Sequence, residues 1–181
     1  MRWEEATFAV LDDLEQQAHG LGLMQRDAEV ADLSQVEYSR VTLAMRVHAS
    51  LGRVVRLRLH GGLVVRGRVA RVGADWLLVS DDSSEWVVSS AGIVTAEGLA
   101  ARADNEETWS VTDRLSLRSA LRRLSGSGEG CTVHLRDAGT AQGRVGRVGA
   151  DFFELHRHVG AEQTTQVVPL ASAVAFQASP S

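Results

Sequence analysis

Lysine is absent from this chain of 181 residues, so all 19 of its basic side chains are arginine. Any carboxylate or phosphate partner is therefore met by planar guanidinium forks alone. Cysteine occurs once, at Cys131. That excludes an intrachain disulfide and any multi-cysteine metal cluster. The residue lies in an alternating apolar pattern and reads as a small core side chain. No apolar run approaches the ~18 residues of a membrane-spanning helix, and a secretory leader is not expected. A cytoplasmic protein without a membrane partner is expected. Gly-x-Ser-x-Gly, the Walker A loop, Gly-x-Gly-x-x-Gly and any Cys–His pairing are also missing. An enzyme is not expected, nor a cofactor.

The net charge of −4 exerts no global pull on nucleic acid, but its distribution is uneven. Residues 1–52 carry four Arg against nine Asp and Glu, whereas residues 53–80 carry six Arg against one Asp. An acidic arm precedes a basic module. Apolar residues make up 44% of the chain, enough to bury a core.

What is present is a repeat. Gly67–Trp76 reads GRVARVGADW and Gly143–Phe152 reads GRVGRVGADF, an offset of 76. The offset carries Val55, Leu57 and Leu59 onto Cys131, Val133 and Leu135, and Val41, Ala44 and Met45 onto Leu117, Ala120 and Leu121. Beyond the repeated stretch it becomes 80, because the second copy has a longer hairpin. Val87–Val88 then matches Val167–Val168, and Val94 matches Val174. Such self-similarity marks a duplicated structural unit.

Each unit reads as an amphipathic helix followed by five strands. Leu117, Leu121 and Leu124 recur at helical spacing, with Asp113 as N-cap and Gly126/Gly128 as the stop. RVVRLRLH alternates Arg outward with Val55, Leu57 and Leu59 inward. Gly67 and Gly143, each inside a long strand, read as bends, and Gly73–Asp75 and Gly149–Asp151 as tight turns. Trp76 and Phe152 are assigned to the core. Short turns imply antiparallel neighbours, and a bent second strand lets five strands curl into a small barrel. The expected organisation is an acidic helical arm (1–37, with Ser34 and Glu37 as a capping box), a first unit (38–99), a polar linker (100–112) and a second unit (113–178).

Apolar alternation, a Gly-containing turn, a long strand with a central Gly and a turn closed by Asp resemble the Sm-like superfamily, which includes bacterial Hfq. The residues are Leu57, Leu59, Gly61/Gly62, Gly67, Val69 and Asp75, then Val133, Leu135, Gly139, Gly143, Val145 and Asp151. The Gly-Ala turns and the paired units behind an acidic arm are more similar to an actinobacterial family than to Hfq itself. The resemblance implies a mainly β fold of two tandem five-stranded Sm-like barrels, each behind a helix, and RNA binding ahead of DNA. It does not extend to the family's base pocket. Val79 and Leu155 stand where the RNA-binding Asn belongs, and the Arg-Gly-Asp/Asn motif and Hfq's lysine-and-histidine turn have no counterpart.

The arginines are the main functional candidates. Arg114, Arg118 and Arg122 fall at i, i+4 and i+8, with Arg123 beside them, and Arg68/Arg71 recur as Arg144/Arg147. They suit salt-dependent contacts to phosphates. A weaker candidate is a metal site at Glu154, His156 and His158, which share one strand face at period two. His134 matches Arg58 and reads as an ordinary surface residue. Two functions from different classes follow. One is a non-enzymatic nucleic-acid-binding regulator. The other is a protein-interaction scaffold that uses barrel edges and the arm, with self-association or internal pairing of the two barrels.

Overall fold

The computed structural model describes residues 38–159 and 162–178. The segment expected to form an acidic helical arm, and the Ser34/Glu37 capping box expected in it, lie outside the described residues. Thr42–Ser181 form a compact unit of their own.

The chain is mainly β. The first repeat opens with helix α1 (Leu43–His48) and continues through β1 (Val54–Leu59), β2 (Val64–Val72), β3 (Trp76–Ser80), β4 (Glu85–Ser89) and β5 (Ile93–Glu97). The second has α2 (Leu117–Ser127), β6 (Gly130–Leu135), β7 (Thr140–Val148), β8 (Phe152–Val159), β9 (Glu162–Pro169) and β10 (Ala173–Ala178). All neighbouring strands pair antiparallel.

These strands do not form two separately closed barrels. They make one open ten-stranded sheet in the order β5-β1-β2-β3-β4-β10-β6-β7-β8-β9. The two repeats join where β4 meets β10, with Ala175 opposite Val88, Phe176 opposite Val87 and Gln177 opposite Trp86. Within each repeat the fifth strand lies beside the first, and the fourth beside the third. The junction therefore unites the fourth strand of one repeat with the fifth strand of the other.

Two apolar clusters sit on this sheet, and each borrows from the other repeat. The first holds Val55, Leu57, Leu59, Val65, Val69, Leu77, Val79 and Val88, together with Val174 and Ala175 from β10. The second holds Leu117, Leu121, Cys131, Val133, Phe153, Leu155 and Phe176, with Trp76 and Val87 of the first repeat packed against it. Cys131 is a core residue here, and burial pushes its thiol up to about 11.

Trp76 thus belongs to the opposite cluster from the one expected, and Phe152 is 36% exposed rather than core. The repeated Gly-Ala-Asp-aromatic turn explains both. Each ring folds back over the glycine of its own turn. A Cβ on Gly73 would lie 2.1 Å from Trp76 Nε1, and one on Gly149 would lie 2.6 Å from the Phe152 ring.

Gly67 and Gly143 are likewise demanded by close approach. An added Cβ would meet the Ser80 carbonyl oxygen or the His156 carbonyl oxygen at 2.5 Å. Both glycines keep regular register with the preceding strand. The irregularity comes later, between Val69 and Arg71 and between Val145 and Val148. The register shift and the glycine are neighbours, not one residue.

Helix α2 begins at Leu117 with Ser116 as N-cap, not Asp113, because Leu115 is extended. The Ser116 hydroxyl accepts from the Ser119 amide, and the Asp75 carboxylate accepts the Leu117 N–H at 2.6 Å. Asp75 caps a helix of the other repeat as well as standing in its own turn. Gly128, left-handed at φ 69°, ends α2.

The polar 100–112 segment is anchored to α1. Arg46 donates to the Ala100 carbonyl, and Ser50 Oγ accepts the Ala100 N–H. The Asp104 N–H reaches the Met45 carbonyl, and Trp109 is buried.

Candidate nucleic-acid interface

Strand alternation sends every second side chain of β1 and β2 away from the core. On β1 these are Val54, Arg56 and Arg58, and on β2 Val64, Arg66 and Arg68, all exposed. The register sets Val54 opposite Arg68, Arg56 opposite Arg66 and Arg58 opposite Val64. Four guanidinium groups therefore share one face of a two-strand ladder.

Three carboxylates stand beside this face, Glu97 of β5 and Asp81 and Asp82 of the turn after β3. Glu97 of β5 lies opposite Arg56 and pairs with it at 3.4 Å, but both side chains are more than half exposed. Such a pair contributes about 0–1 kcal/mol. Arg58 donates to Thr95 Oγ1, and Arg68 donates to the Gly52 carbonyl. A groove of about 510 Å³ runs along Val54, Arg66, Arg68, Ser80, Asp81 and Asp82. The Asp81 carboxylate is already occupied by its own turn. It accepts from the Ser83 and Ser84 amides and the Ser83 hydroxyl, with the Ser83 amide foremost in holding it below the usual carboxylate range.

Like charges set directly opposite across a ladder are destabilising. Arg56 facing Arg66 is such a pair, and an anion bound between them would relieve it. The second repeat offers a built-in comparison. At the positions of Arg56, Arg58, Arg66 and Arg68 it carries Thr132, His134, Gln142 and Arg144. The same framework supports four cations in one copy and one in the other.

The remaining sequence candidates are scattered. Arg114 lies outside α2, in a short 3-10 turn (Thr112–Arg114), and donates to the Glu106 carbonyl. The expected helical stripe thus loses its first member and keeps Arg118 and Arg122, both exposed, with Arg123 beside them. Arg71 and Arg123 are brought together on a cavity of about 420 Å³ that also includes Trp76. Arg144 is exposed on β7, opposite Gly130.

Arg147 is engaged by Glu154, Nε to Oε2 at 3.1 Å and the terminal nitrogen to Oε1 at 2.8 Å. That bidentate pair holds Glu154 below its ordinary range and occupies the carboxylate of the weak metal candidate. His156 Nδ1 is bonded to Thr165 Oγ1. The side chain of His158 lies outside the described residues.

Two histidines have surroundings the sequence did not reveal. His48 lies between Asp104 (3.0 Å from Nδ1) and Asp113 (3.4 Å from Nε2), and its ring stacks on Trp109 at 4.9 Å. Asp113, bonded mainly by the Ser110 hydroxyl and further by its amide and His48, is held below the usual carboxylate range. His134 is not an ordinary surface residue. It is half-buried against the Trp86 ring, 5.3 Å away across the β4–β10 junction, and burial lowers its pKa. No signal within one repeat could have shown this, because the covering strand comes from the other repeat.

No protein-family model matches the chain, and no curated protein sequence matches it. Among the described residues, no helix is long and apolar enough to cross a membrane.

Proposed function

We propose that this chain is a non-enzymatic nucleic-acid-binding protein built from two fused Sm-like units, and that it grips the phosphate backbone with the outward face of β1 and β2. The carrying observation is the contrast between repeats, with Arg56, Arg58, Arg66 and Arg68 in one and Arg144 alone in the other. Flat arrays of guanidinium forks match phosphate oxygens and give backbone affinity without reading sequence. Val79 and Leu155, at the positions of the family's base-contacting Asn, are both fully buried core residues. That fits backbone contact rather than a base pocket. Single-stranded RNA is placed ahead of duplex DNA on the resemblance to Sm-like proteins.

A filter-retention assay with single-stranded RNA and duplex DNA tests this. Wild type is compared with Arg56→Ser/Arg66→Ser and with Arg114→Ala/Arg118→Ala/Arg122→Ala. The first variant should lose most of the retention seen at low salt, and the second much less. If wild type retains neither polymer at low salt, the proposal is wrong.

A further inference from the structure

The outward face of β1 and β2 repeats itself on a small scale. Val54–Arg58 reads VVRLR and Val64–Arg68 reads VVRGR. The register runs the two segments antiparallel about their middle residues. Arg56 faces Arg66 at the centre, Val54 faces Arg68 at one end, and Arg58 faces Val64 at the other. An antiparallel ladder has a local two-fold axis in its backbone hydrogen bonds. Here the outward side chains obey it too. Val54 and Val64 are 50% and 45% exposed. The one departure between the segments, Leu57 against Gly67, falls on an inward-facing position.

The flanking strands follow the same pattern. Thr95 of β5 stands beside Arg58 and Ser80 of β3 beside Arg68, a hydroxyl at each end. Glu97 stands beside Arg56, and Asp82 lines one groove with Arg66. The framework does not impose this symmetry. The matching ladder of the second repeat sets Gly130 opposite Arg144, Thr132 opposite Gln142 and His134 opposite Thr140.

The spacing suits a nucleic-acid backbone. Leu59 and Leu63 share a ladder hydrogen bond, as do Arg53 and Val69. Alternation from either end makes Arg56 and Arg66 a non-hydrogen-bonded pair, whose Cα atoms lie only about 4.5 Å apart. Their guanidinium groups form one central station. Arg58 and Arg68 form a station on each side, two residues or about 6.8 Å along the strand. The three stations cross the ladder obliquely, at close to the distance between successive phosphates of one strand. Val64 and Val54 lie beside the outer stations and offer apolar surface to a sugar or a base.

We propose that this face holds three successive phosphates of a single strand, and that it does so in either polarity. A strand and its reverse meet the same order of groups, so neither direction is favoured. Arg58 uses one N–H on Thr95 Oγ1 and Arg68 one on the Gly52 carbonyl, out of five on each guanidinium. Glu97 yields Arg56 to a phosphate because their pair is exposed and weak. The inference rests on the phosphate reading above and adds to it the length of strand held and the lack of direction.

Paramagnetic broadening in wild type tests it. The probe is a single-stranded oligoribonucleotide with three internal phosphates and a nitroxide on its 5′ or its 3′ end. The 5′ label should broaden the Val54 and Val64 methyl signals alike, and moving it to the 3′ end should leave the pattern unchanged. Arg58→Ser and Arg68→Ser should weaken binding of the unlabelled oligonucleotide by the same factor, with circular dichroism confirming both folds. Broadening of one valine by the 5′ label and of the other by the 3′ label overturns the inference and leaves phosphate binding standing. So does a loss of affinity in only one of the two variants, or an oligonucleotide with one internal phosphate that binds as tightly as the one with three. A wild type that binds no single strand at low salt overturns the proposed function, and this inference with it.

Discussion

Phe176→Ala strikes the point where the two repeats are joined. The ring is 2% exposed, packs on Phe153 at 5.4 Å between centroids, and belongs to the second cluster. Its neighbours on the same strand, Val174 and Ala175, belong to the first. Truncating a buried phenylalanine costs about 3–5 kcal/mol, from lost transfer energy and the cavity left behind. That is a large share of the 5–15 kcal/mol typical of a domain. For a unit of this size it lowers Tm by roughly 10–20 °C. Because β10 serves both clusters, the loss should appear as one shifted transition and not as the melting of half the molecule. Urea unfolding followed by tryptophan fluorescence and by far-ultraviolet circular dichroism measures this, with Val111→Ala, at an 83% exposed position, as control. Coincident transitions with a lower midpoint are expected. A loss under about 1 kcal/mol, or two separated transitions, would refute the shared-strand reasoning.

Gly67→Ala should destabilise by more than the gain of about 0.4–1 kcal/mol that a harmless Gly→Ala change brings, because its Cβ meets backbone that cannot swing aside; the same denaturant curve checks it. Stability should also fall as pH drops from about 6.5 through the lowered pKa of His134, since the unfolded chain takes up a proton that the native site resists. His134→Gln should flatten that part of the stability-against-pH profile, and an unchanged slope would remove His134 from the explanation.

Much of the framework was legible because duplication and alternation are written in residue identity. Two helices, ten strands and the inward set Val55, Leu57 and Leu59 follow from spacing alone. The junction does not, because a strand's unpaired edge carries no label for its partner. Trp76 and Phe152 fold over the glycines of their own turns, and His134 lies against Trp86 of the other repeat; neither arrangement is written in the alternation of a strand. Asp113 stands before the leucine pattern as a cap would, but Ser116 takes that role. The candidate interface is only partly legible in the sequence. The alternation of RVVRLRLH already sent Arg56 and Arg58 outward, and subtracting one repeat from the other isolates Arg56, Arg58 and Arg66.

The most direct test of a phosphate-gripping β1–β2 face is the salt dependence of RNA binding. Four arginines releasing counterions from single-stranded RNA predict a slope of log affinity against log salt near −3. Affinity should then fall roughly 50-fold between 50 and 200 mM salt, as that slope requires. Arg56→Ser/Arg66→Ser should roughly halve the slope. A slope near zero in wild type, or one the double substitution leaves unchanged, would contradict the assignment.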